Sequence, residues 1–279
     1  MLELHRHLDA RAFLQRAEPW LLTREIEHGG VLQSARQARA DDTHYERPIY
    51  WATLEDAGQL VGCAYRTPPY KVGVTVLPDA AIGPLVADLA ATYPGAIGGF
   101  SGPDPTVSTL ASAWVEQRGG SWSVNTRGRL MSFSGGSAND DESKKGVLRL
   151  AGSSDTALAQ SWGAAASIDS GIAALDGKLC VELIRAKALY FFADDRARCM
   201  IGLLRETRES VAIGIVYTPA TFRGQGYGTA ALRALNRLLD ERGVKNRYLW
   251  VDPKSDGAQA LAAKLDARFV YDSLDIDCA

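Results

Sequence analysis

The spacing of apolar positions along the chain switches repeatedly between a strand-like and a helix-like period, which is typical of a mixed α/β fold. Residues 211–217 form an apolar run rich in β-branched side chains and predict a buried strand. Pro219 has no N–H group, so it predicts the end of that strand's ladder. Beyond a glycine-rich segment, apolar residues recur at helical spacing over residues 227–238 and predict an amphipathic helix, which Gly243 ends.

The same pattern assigns elements to the rest of the chain. It predicts helices over residues 8–16, 19–37, 80–93, 105–118, 154–167, 180–187 and 256–265. It predicts strands over residues 49–54, 60–66, 72–77, 96–100, 121–133, 147–150, 188–193, 199–205, 248–251 and 269–276. Each half then has one order of two helices, three strands, helix, strand, helix and strand. This order predicts an internal repeat of fold without obvious sequence identity.

A polar segment separates the two halves. Residues 134–145 read SGGSANDDESKK, and Ala138 is their single apolar residue. Such a composition is typical of a linker. The sequence therefore predicts a first domain over residues 1–134, a linker over 135–146 and a second domain over 147–279.

The composition argues against several classes of protein. Over 279 residues, 46% hydrophobic and 23% charged positions are typical of a folded globular chain. A formal net charge of −2, without a stripe rich in Lys and Arg, argues against a nucleic-acid partner. The chain has no apolar run long enough to span a bilayer and no signal-peptide pattern near its first residues. We therefore expect no membrane partner and a cytoplasmic location.

The cysteines are Cys63, Cys180, Cys199 and Cys278, which are far apart and form no CxxC pair. This spacing favours neither a zinc site nor a disulfide framework. We interpret them as reduced thiols and expect no metal site.

The glycine-rich segment carries the clearest chemical signal. Gly224, Gly226 and Gly228 alternate with larger residues, so the backbone can adopt positive φ and a ligand can approach the main chain closely. Loop amides and the first turn of the following helix would present unpaired N–H donors at the positive end of a helix dipole. Arg223 adds a permanent positive charge. The segment therefore predicts a binding site for phosphate oxygens.

Spacing separates the phosphate-binding patterns that could explain this segment. A P-loop requires a Lys after its glycines, and none follows here. A dinucleotide fingerprint requires GxGxxG in the tight turn directly after its strand, whereas these glycines alternate and lie several residues beyond Tyr217. The remaining pattern, R-G-Q-G-Y-G over residues 223–228, resembles the R/Q-x-x-G-x-G/A pyrophosphate loop of the GNAT superfamily of acyl-CoA-dependent N-acyltransferases.

The resemblance implies acetyl-CoA, a coenzyme A thioester, as cofactor. It implies transfer of the acetyl group to a primary amine of a small-molecule or peptide acceptor by direct attack. It implies two tandem GNAT-like units within the α/β class. The implied cofactor-binding residues are Val216, Tyr217, Thr218, Arg223, Gly224, Gln225, Gly226, Tyr227, Gly228, Thr229 and Ser255. In the first half, residues 78–80 follow the corresponding strand without Arg or alternating glycines, so we expect a degenerate half that binds no cofactor.

The last helix departs from the family's pattern. Ser255 stands at the usual Asn, Ala262 at the usual Tyr, and Asp266 at the usual Gly. The usual general acid is therefore missing. Three alternatives follow: the thiolate leaves unaided or through water, another phenol such as Tyr217 or Tyr271 serves, or the protein is inactive.

No carboxylate is marked as a general base. Glu182, Glu206 and Glu209 lie in elements that lead into the second sheet, and Asp252 follows the strand that should flank the cofactor. Each of these carboxylates can equally be a solvated surface group. Asp252 precedes Pro253, and this Asp-Pro pair is also typical of a turn. The catalytic candidates are thus Tyr217, Asp252 and Tyr271. An N-acetyltransferase is the first hypothesis, and a coenzyme A-binding or sensing pseudoenzyme and an interaction scaffold are its alternatives.

Overall fold

The computed structural model describes residues 1–134, 146–170, 175–204, 207 and 209–279. The chain divides into two compact units: unit 1 contains Met1–Leu130 and Val270–Ala279, and unit 2 contains Met131–Phe269. Both units combine helices with a mixed sheet, so the predicted α/β class is confirmed. The predicted linker, apart from Gly146, and the candidate base Glu206 lie outside the described residues.

The elements follow the order that apolar spacing predicts, with small shifts at their ends. The first group is β1 (Leu2–Arg6), α1 (Ala10–Leu22), α2 (Glu25–Ala40), β2 (Tyr50–Asp56), β3 (Gln59–Arg66), β4 (Val72–Val74), α3 (Ile82–Thr92), β5 (Gly99–Pro103), α4 (Thr106–Arg118) and β6 (Trp122–Phe133). The second group is β7 (Val147–Leu150), α5 (Thr156–Ser170), α6 (Gly177–Arg185), β8 (Leu189–Ala193), β9 (Ala197–Leu204), β10 (Ser210–Tyr217), α7 (Tyr227–Glu241), β11 (Asn246–Val251), α8 (Asp256–Lys264) and β12 (Arg268–Cys278). Helices and strands alternate identically in the two groups.

Strand pairing follows one pattern in both units. Neighbouring strands run β1-β2-β3-β4-β5-β12-β6 in unit 1 and β11-β10-β9-β8-β7 in unit 2. In unit 1 the pairs from β1 to β4 are antiparallel, and β4 pairs parallel with β5. In unit 2 the pairs from β7 to β10 are antiparallel, and β10 pairs parallel with β11. A parallel pair needs a crossover connection, which contains α3 in unit 1 and α7 in unit 2.

Unit 2 has an apolar core on each face of its sheet. One cluster packs α7 against the strands and includes Ile213 and Leu235. The other packs α5 and α6 against the strands and includes Leu183 and Phe191. A sheet that is covered on both faces needs apolar side chains in both directions, which explains the continuous apolar run over residues 211–217.

The division into units differs from the predicted domains at the last strand. Strand β12 pairs antiparallel with β5, and Leu274 and Ile276 are buried in the core of unit 1. Residues 270–279 therefore belong to unit 1, although the sequence assigns 147–279 to one domain. A polar segment predicts where a loop lies, but strand pairing is non-local and decides which sheet the last strand joins.

The first elements depart slightly from the apolar pattern. Strand β1 was not predicted, and it pairs antiparallel with β2. Helix α1 continues through Pro19, beyond the predicted end at residue 16, because Ala17 and Leu21 are buried on the face that packs into the core. No helix among the described residues combines the length and apolar character that a membrane span requires.

Candidate functional site

Strand β10 contains a bulge next to the candidate site. The pairing of β10 with β9 shifts register between Ile213 and Ile215. Val211 and Ile213 pack in the core beneath α7, whereas Ile215 and Tyr217 pack in the core with α5 and α6. A bulge adds a residue to one strand and increases its twist, so the side chains after it point to the other face. Gly214 lies at the centre of this change.

Strands β10 and β11 part beyond the bulge. Their parallel register runs from Ser210–Asn246 to Ile213–Leu249, and within the described residues it extends no further. Strand β10 nevertheless continues to Tyr217. Successive amides of a strand point to opposite neighbouring strands. Among residues 214–217, the amides that point toward β11 therefore have no partner in the β10–β11 ladder. The opening offers main-chain hydrogen-bonding groups to a ligand.

The glycine-rich loop follows directly. A 3-10 turn over Ala220–Phe222 leads to Gly224 at φ +73° and Gly226 at φ +86°. A Cβ atom on either glycine would have no neighbouring heavy atom within 4 Å, so both positions require glycine for backbone conformation and not for internal packing. Between them, Gln225 Nε2 donates to the Thr221 carbonyl at 3.0 Å. The loop is exposed and its main chain is open to a ligand.

Helix α7 begins at the end of this loop. Gly226 is its N-cap and supplies no side-chain acceptor, and the first turn contains no acidic residue. The amides of Gly228 and Thr229 have no acceptor within the helix, as in any first turn. A Cβ at Gly228 would lie 3.6 Å from Thr218 Oγ1, so the helix start lies against the end of β10. The positive end of the helix dipole therefore faces the loop.

Arg223 is held at the side of the loop by two acceptors. Its Nε donates to the Thr218 carbonyl at 2.9 Å, and its Nη2 contacts the Asp169 carboxylate of α5. Its Cζ lies 5.7 Å from the centroid of the Tyr217 ring. The hydrogen bond to Asp169 raises the pKa of Arg223 above its usual range. Sequence reasoning did not identify Asp169 as a neighbour of the loop, because Asp169 lies in a different helix.

The β8–β9 hairpin contacts both ends of the glycine-rich loop. Arg198 places its Cζ 4.5 Å from the ring centroid of Phe222 and 5.4 Å from that of Tyr227. Its Nε donates to both carboxylate oxygens of Asp194, at 2.8 and 2.9 Å, and this lowers the pKa of Asp194. The Tyr227 hydroxyl donates to Asp194 at 3.4 Å. The residues that flank the loop are therefore fixed by one ionic and aromatic cluster, which sequence reasoning missed.

The last helix has the features of the altered motif. Ser255 is the N-cap of α8, and its Oγ accepts from the Ala258 amide at 3.3 Å. Ala262 is buried in the core beneath α7 and places no phenol at the site. Asp266 has φ +51°, so it keeps the left-handed turn that a glycine usually provides. Asp tolerates this conformation better than most residues, which explains how the turn survives without glycine.

The catalytic candidates have different surroundings. Tyr217 ends β10 beside the loop and is 9% exposed. Asp252 is exposed, and its Oδ1 accepts from the Lys254 amide at 2.8 Å, which is turn chemistry. Tyr271 lies in unit 1, where its hydroxyl is 3.5 Å from the Glu27 carbonyl.

The remaining carboxylates occupy surface positions. Glu182 is exposed on α6, and Glu209 pairs with Lys245 at 3.0 Å. Within the described residues, His, Cys, Asp and Glu form no group of three that could hold a metal ion.

In unit 1, the connection after β4 corresponds to the glycine-rich loop after β10, and its amides form hydrogen bonds within the unit. After β4, the Thr75 amide donates to the Cys63 carbonyl at 3.0 Å, and the Leu77 amide donates to Thr106 Oγ1 at 3.2 Å. Pro78 has no amide hydrogen. This connection therefore lacks the open row of donors that unit 2 presents.

Comparisons with known proteins agree with this geometry. A sequence model of the acetyltransferase (GNAT) family matches residues 158–267. A search of curated proteins found no match to the chain. Several solved structures are similar over nearly the whole chain. An acetyltransferase of the GNAT family from Colwellia psychrerythraea is 12% identical with a TM-score of 0.59, over 99% of this chain and 100% of that chain. A tandem GNAT protein from the clavulanic acid biosynthesis pathway is 12% identical with a TM-score of 0.56, over 100% of this chain and 98% of that chain. A Drosophila protein is 13% identical with a TM-score of 0.68, over 99% of this chain and 98% of that chain.

The family match includes the bulged strand, the glycine-rich loop and the last helix. At these identities the solved structures define the fold alone, and that fold is GNAT-like over both units. A model of the acetyltransferase (GNAT) family thus matches residues 158–267, and this match supports a transferase enzyme.

Proposed function

We propose that this chain is an acetyl-CoA-dependent N-acetyltransferase whose cofactor site lies in unit 2. The observation that carries the proposal is the exposed loop over residues 223–228, which combines two left-handed glycines with the open start of α7. A charge-assisted hydrogen bond contributes roughly 1.5–3 kcal/mol, so a few of them approach the roughly 8 kcal/mol of micromolar affinity. The loop backbone and Arg223 could therefore hold a diphosphate.

The end of β10 supports the chemistry of acyl transfer. Acetyl-CoA would supply the activated acyl group as a thioester. Main-chain amides at Tyr217 and Thr218 would polarise its carbonyl, and one such donor is worth roughly 3 kcal/mol. The acceptor amine must arrive as the free base, because a protonated amine has no lone pair. A coenzyme A thiolate is a good leaving group, so the absence of a phenol at Ala262 need not abolish turnover.

The arrangement of unit 1 favours a tandem architecture. Unit 1 has the element order and strand pairing of unit 2 but no comparable loop after β4. We therefore propose a degenerate GNAT-like first half over residues 1–134, the linker 135–146, and an acyl-CoA-binding half over residues 147–279 whose last strand joins unit 1. The proposed acceptor is a primary amine of a small molecule or peptide.

A pseudoenzyme that binds or senses coenzyme A is the second candidate. It is favoured by the buried Ala262 at the position of the usual acid and by the turn role of Asp252. Both candidates share the cofactor site and differ only in turnover.

Two measurements test these proposals. Calorimetry with coenzyme A should give one equivalent per chain, and two equivalents or no binding would contradict the assigned site. A thiol-release assay with acetyl-CoA against a panel of polyamines, aminoglycosides, amino acids and peptide N-termini should then show release above background for at least one amine. Binding without release for any amine would favour the pseudoenzyme.

A further inference from the structure

An acidic side chain is paired with the predicted diphosphate-binding arginine. Arg223 Nη2 contacts the Asp169 carboxylate, and Arg223 Nε donates to the Thr218 carbonyl at 2.9 Å. These two nitrogens form one edge of the guanidinium, the edge that binds carboxylate and phosphate in bidentate fashion. Acceptors of the chain itself therefore use that edge.

The position of Asp169 in its own helix is unfavourable. It lies next to the last residue of α5, and the last turn of that helix contains no basic residue. A carboxylate at a helix C-terminus is opposed by the helix dipole. The pairing with Arg223, 54 positions away in sequence, offsets this effect. The charged partner of Asp169 is thus supplied by the loop and not by the helix that carries it.

The ion pair is exposed enough to open. The side chains of Arg223 and Asp169 are 48% and 45% exposed. Exposed pairs of this kind contribute little to stability, because water and side-chain entropy compete with the Coulombic attraction. A diphosphate carries more negative charge than one carboxylate, and the start of α7 attracts it further. A bound diphosphate can therefore replace Asp169 as the partner of Arg223.

We propose that Asp169 is an internal competitor for Arg223, whose carboxylate holds the guanidinium edge until the diphosphate of coenzyme A takes its place. Asp169 is then a positioning residue that acts through Arg223 and sets cofactor affinity. This inference rests on the proposed function, because it requires a diphosphate ligand at the loop.

The test is a double-mutant cycle on the full chain, with the Kd of coenzyme A measured by calorimetry. Asp169→Asn keeps the size of the side chain and removes its charge. We expect it to bind coenzyme A about three- to fivefold more tightly, and this gain should vanish when Arg223→Gln is also present. Glu241→Gln is the matched control, since it removes the same charge from the exposed far end of α7 and should leave the Kd unchanged.

Each outcome decides the inference. An unchanged or weaker affinity in Asp169→Asn overturns it, and so does a gain that persists without Arg223, which would indicate general repulsion. Circular dichroism establishes that each variant is folded, which is expected because both paired side chains are half-exposed. Failure of the wild-type chain to bind coenzyme A would overturn the proposed function and this inference together, whereas wild-type binding with no effect of Asp169 would overturn the inference alone.

Discussion

The guanidinium of Arg198 lies over the ring of Phe222, with 4.5 Å between Cζ and the ring centroid. Phe222 comes directly before the glycine-rich loop, and the same guanidinium contacts Tyr227 at the loop's other end. The side chain of Arg198 is only 12% exposed and is also bound to Asp194. One cation therefore contacts the aromatic rings at both ends of the glycine-rich loop.

Replacing this cation should loosen the loop. We expect Arg198→Met to lower the thermal midpoint and to weaken coenzyme A binding about three- to tenfold, because a disordered loop must be ordered when the ligand binds. Arg196→Met is the control, since Arg196 is 67% exposed and its Cζ is 5.9 Å from the Phe222 centroid. Equal Kd values for the two variants in calorimetry would contradict a supporting role for Arg198.

Glycine at the start of α7 can be tested against glycine at its end. Gly226 and Gly243 have φ of +86° and +74°, and a Cβ on either would be in open space. Valine should therefore strain both positions by about 1–2 kcal/mol or more. Only Gly226→Val should also weaken coenzyme A binding, by at least about tenfold or 1.4 kcal/mol, since its side chain would project into the proposed phosphate site. If both variants lost affinity to the same extent, backbone strain alone would explain the loss, and the loop would act only as a turn.

The bulge in β10 depends on the absence of a side chain at Gly214. A Cβ there would lie 2.1 Å from Leu204 Cδ1 and 2.4 Å from Leu204 Cγ. Gly214→Ala should lower the free energy of unfolding by about 1–3 kcal/mol through overpacking. In the Leu204→Ala background the same change should have little further effect in urea unfolding. Additive losses would place the strain in the backbone instead.

Turnover, where present, should rise with pH and should survive the loss of any one candidate base. The acceptor amine must lose its proton, while Glu182 and Asp252 are exposed and Glu209 is paired with Lys245. Glu182→Gln, Glu209→Gln and Asp252→Asn should each keep measurable kcat in the thiol-release assay. A loss of about a thousandfold in one of them, with coenzyme A affinity intact, would identify a dedicated base.

Acid should remove the contribution of Asp155 to stability. Arg149 donates to both carboxylate oxygens of Asp155, at 2.7 and 2.8 Å, and this lowers the pKa of Asp155. The Gly152 amide also donates to this carboxylate and lowers its pKa further. A carboxyl whose folded pKa is depressed stabilises the fold above its unfolded pKa, about 3.9, and loses this effect as pH falls through the folded pKa. The stability difference between wild type and Asp155→Asn should be constant from pH 7 to about 5 and shrink below that. A constant difference down to pH 3 in urea unfolding would contradict this.

Local patterns explain how much could be predicted from sequence. Element type follows from apolar period, and the two faces of the sheet in unit 2 are both covered, so its strands were recognisable as apolar runs. The glycine-rich loop was equally recognisable, because a helix start and its preceding glycines are contiguous in the chain. Gly224 and Gly226 have the positive φ values that this reading requires.

Non-local contacts explain what could not be predicted. A strict period of two places Ile213 and Ile215 on one face, but the bulge puts them in different cores. Asp169 and Arg198 reach the loop from other elements, and nothing in their own surroundings indicates it. The pairing of β12 with β5 likewise joins distant residues.

That last pairing sets an order of assembly during protein synthesis. The core of unit 1 contains Leu274 and Ile276, and the whole of unit 2 is translated between β6 and these residues. At about 5–20 residues per second, the N-terminal part of unit 1 waits on the order of ten seconds for its missing strand. Unit 1 therefore cannot finish folding first, although it is synthesised first. Through that interval the edge of β5 lacks the strand that it pairs with in the folded chain, and an unpaired strand edge is open to pairing with another chain.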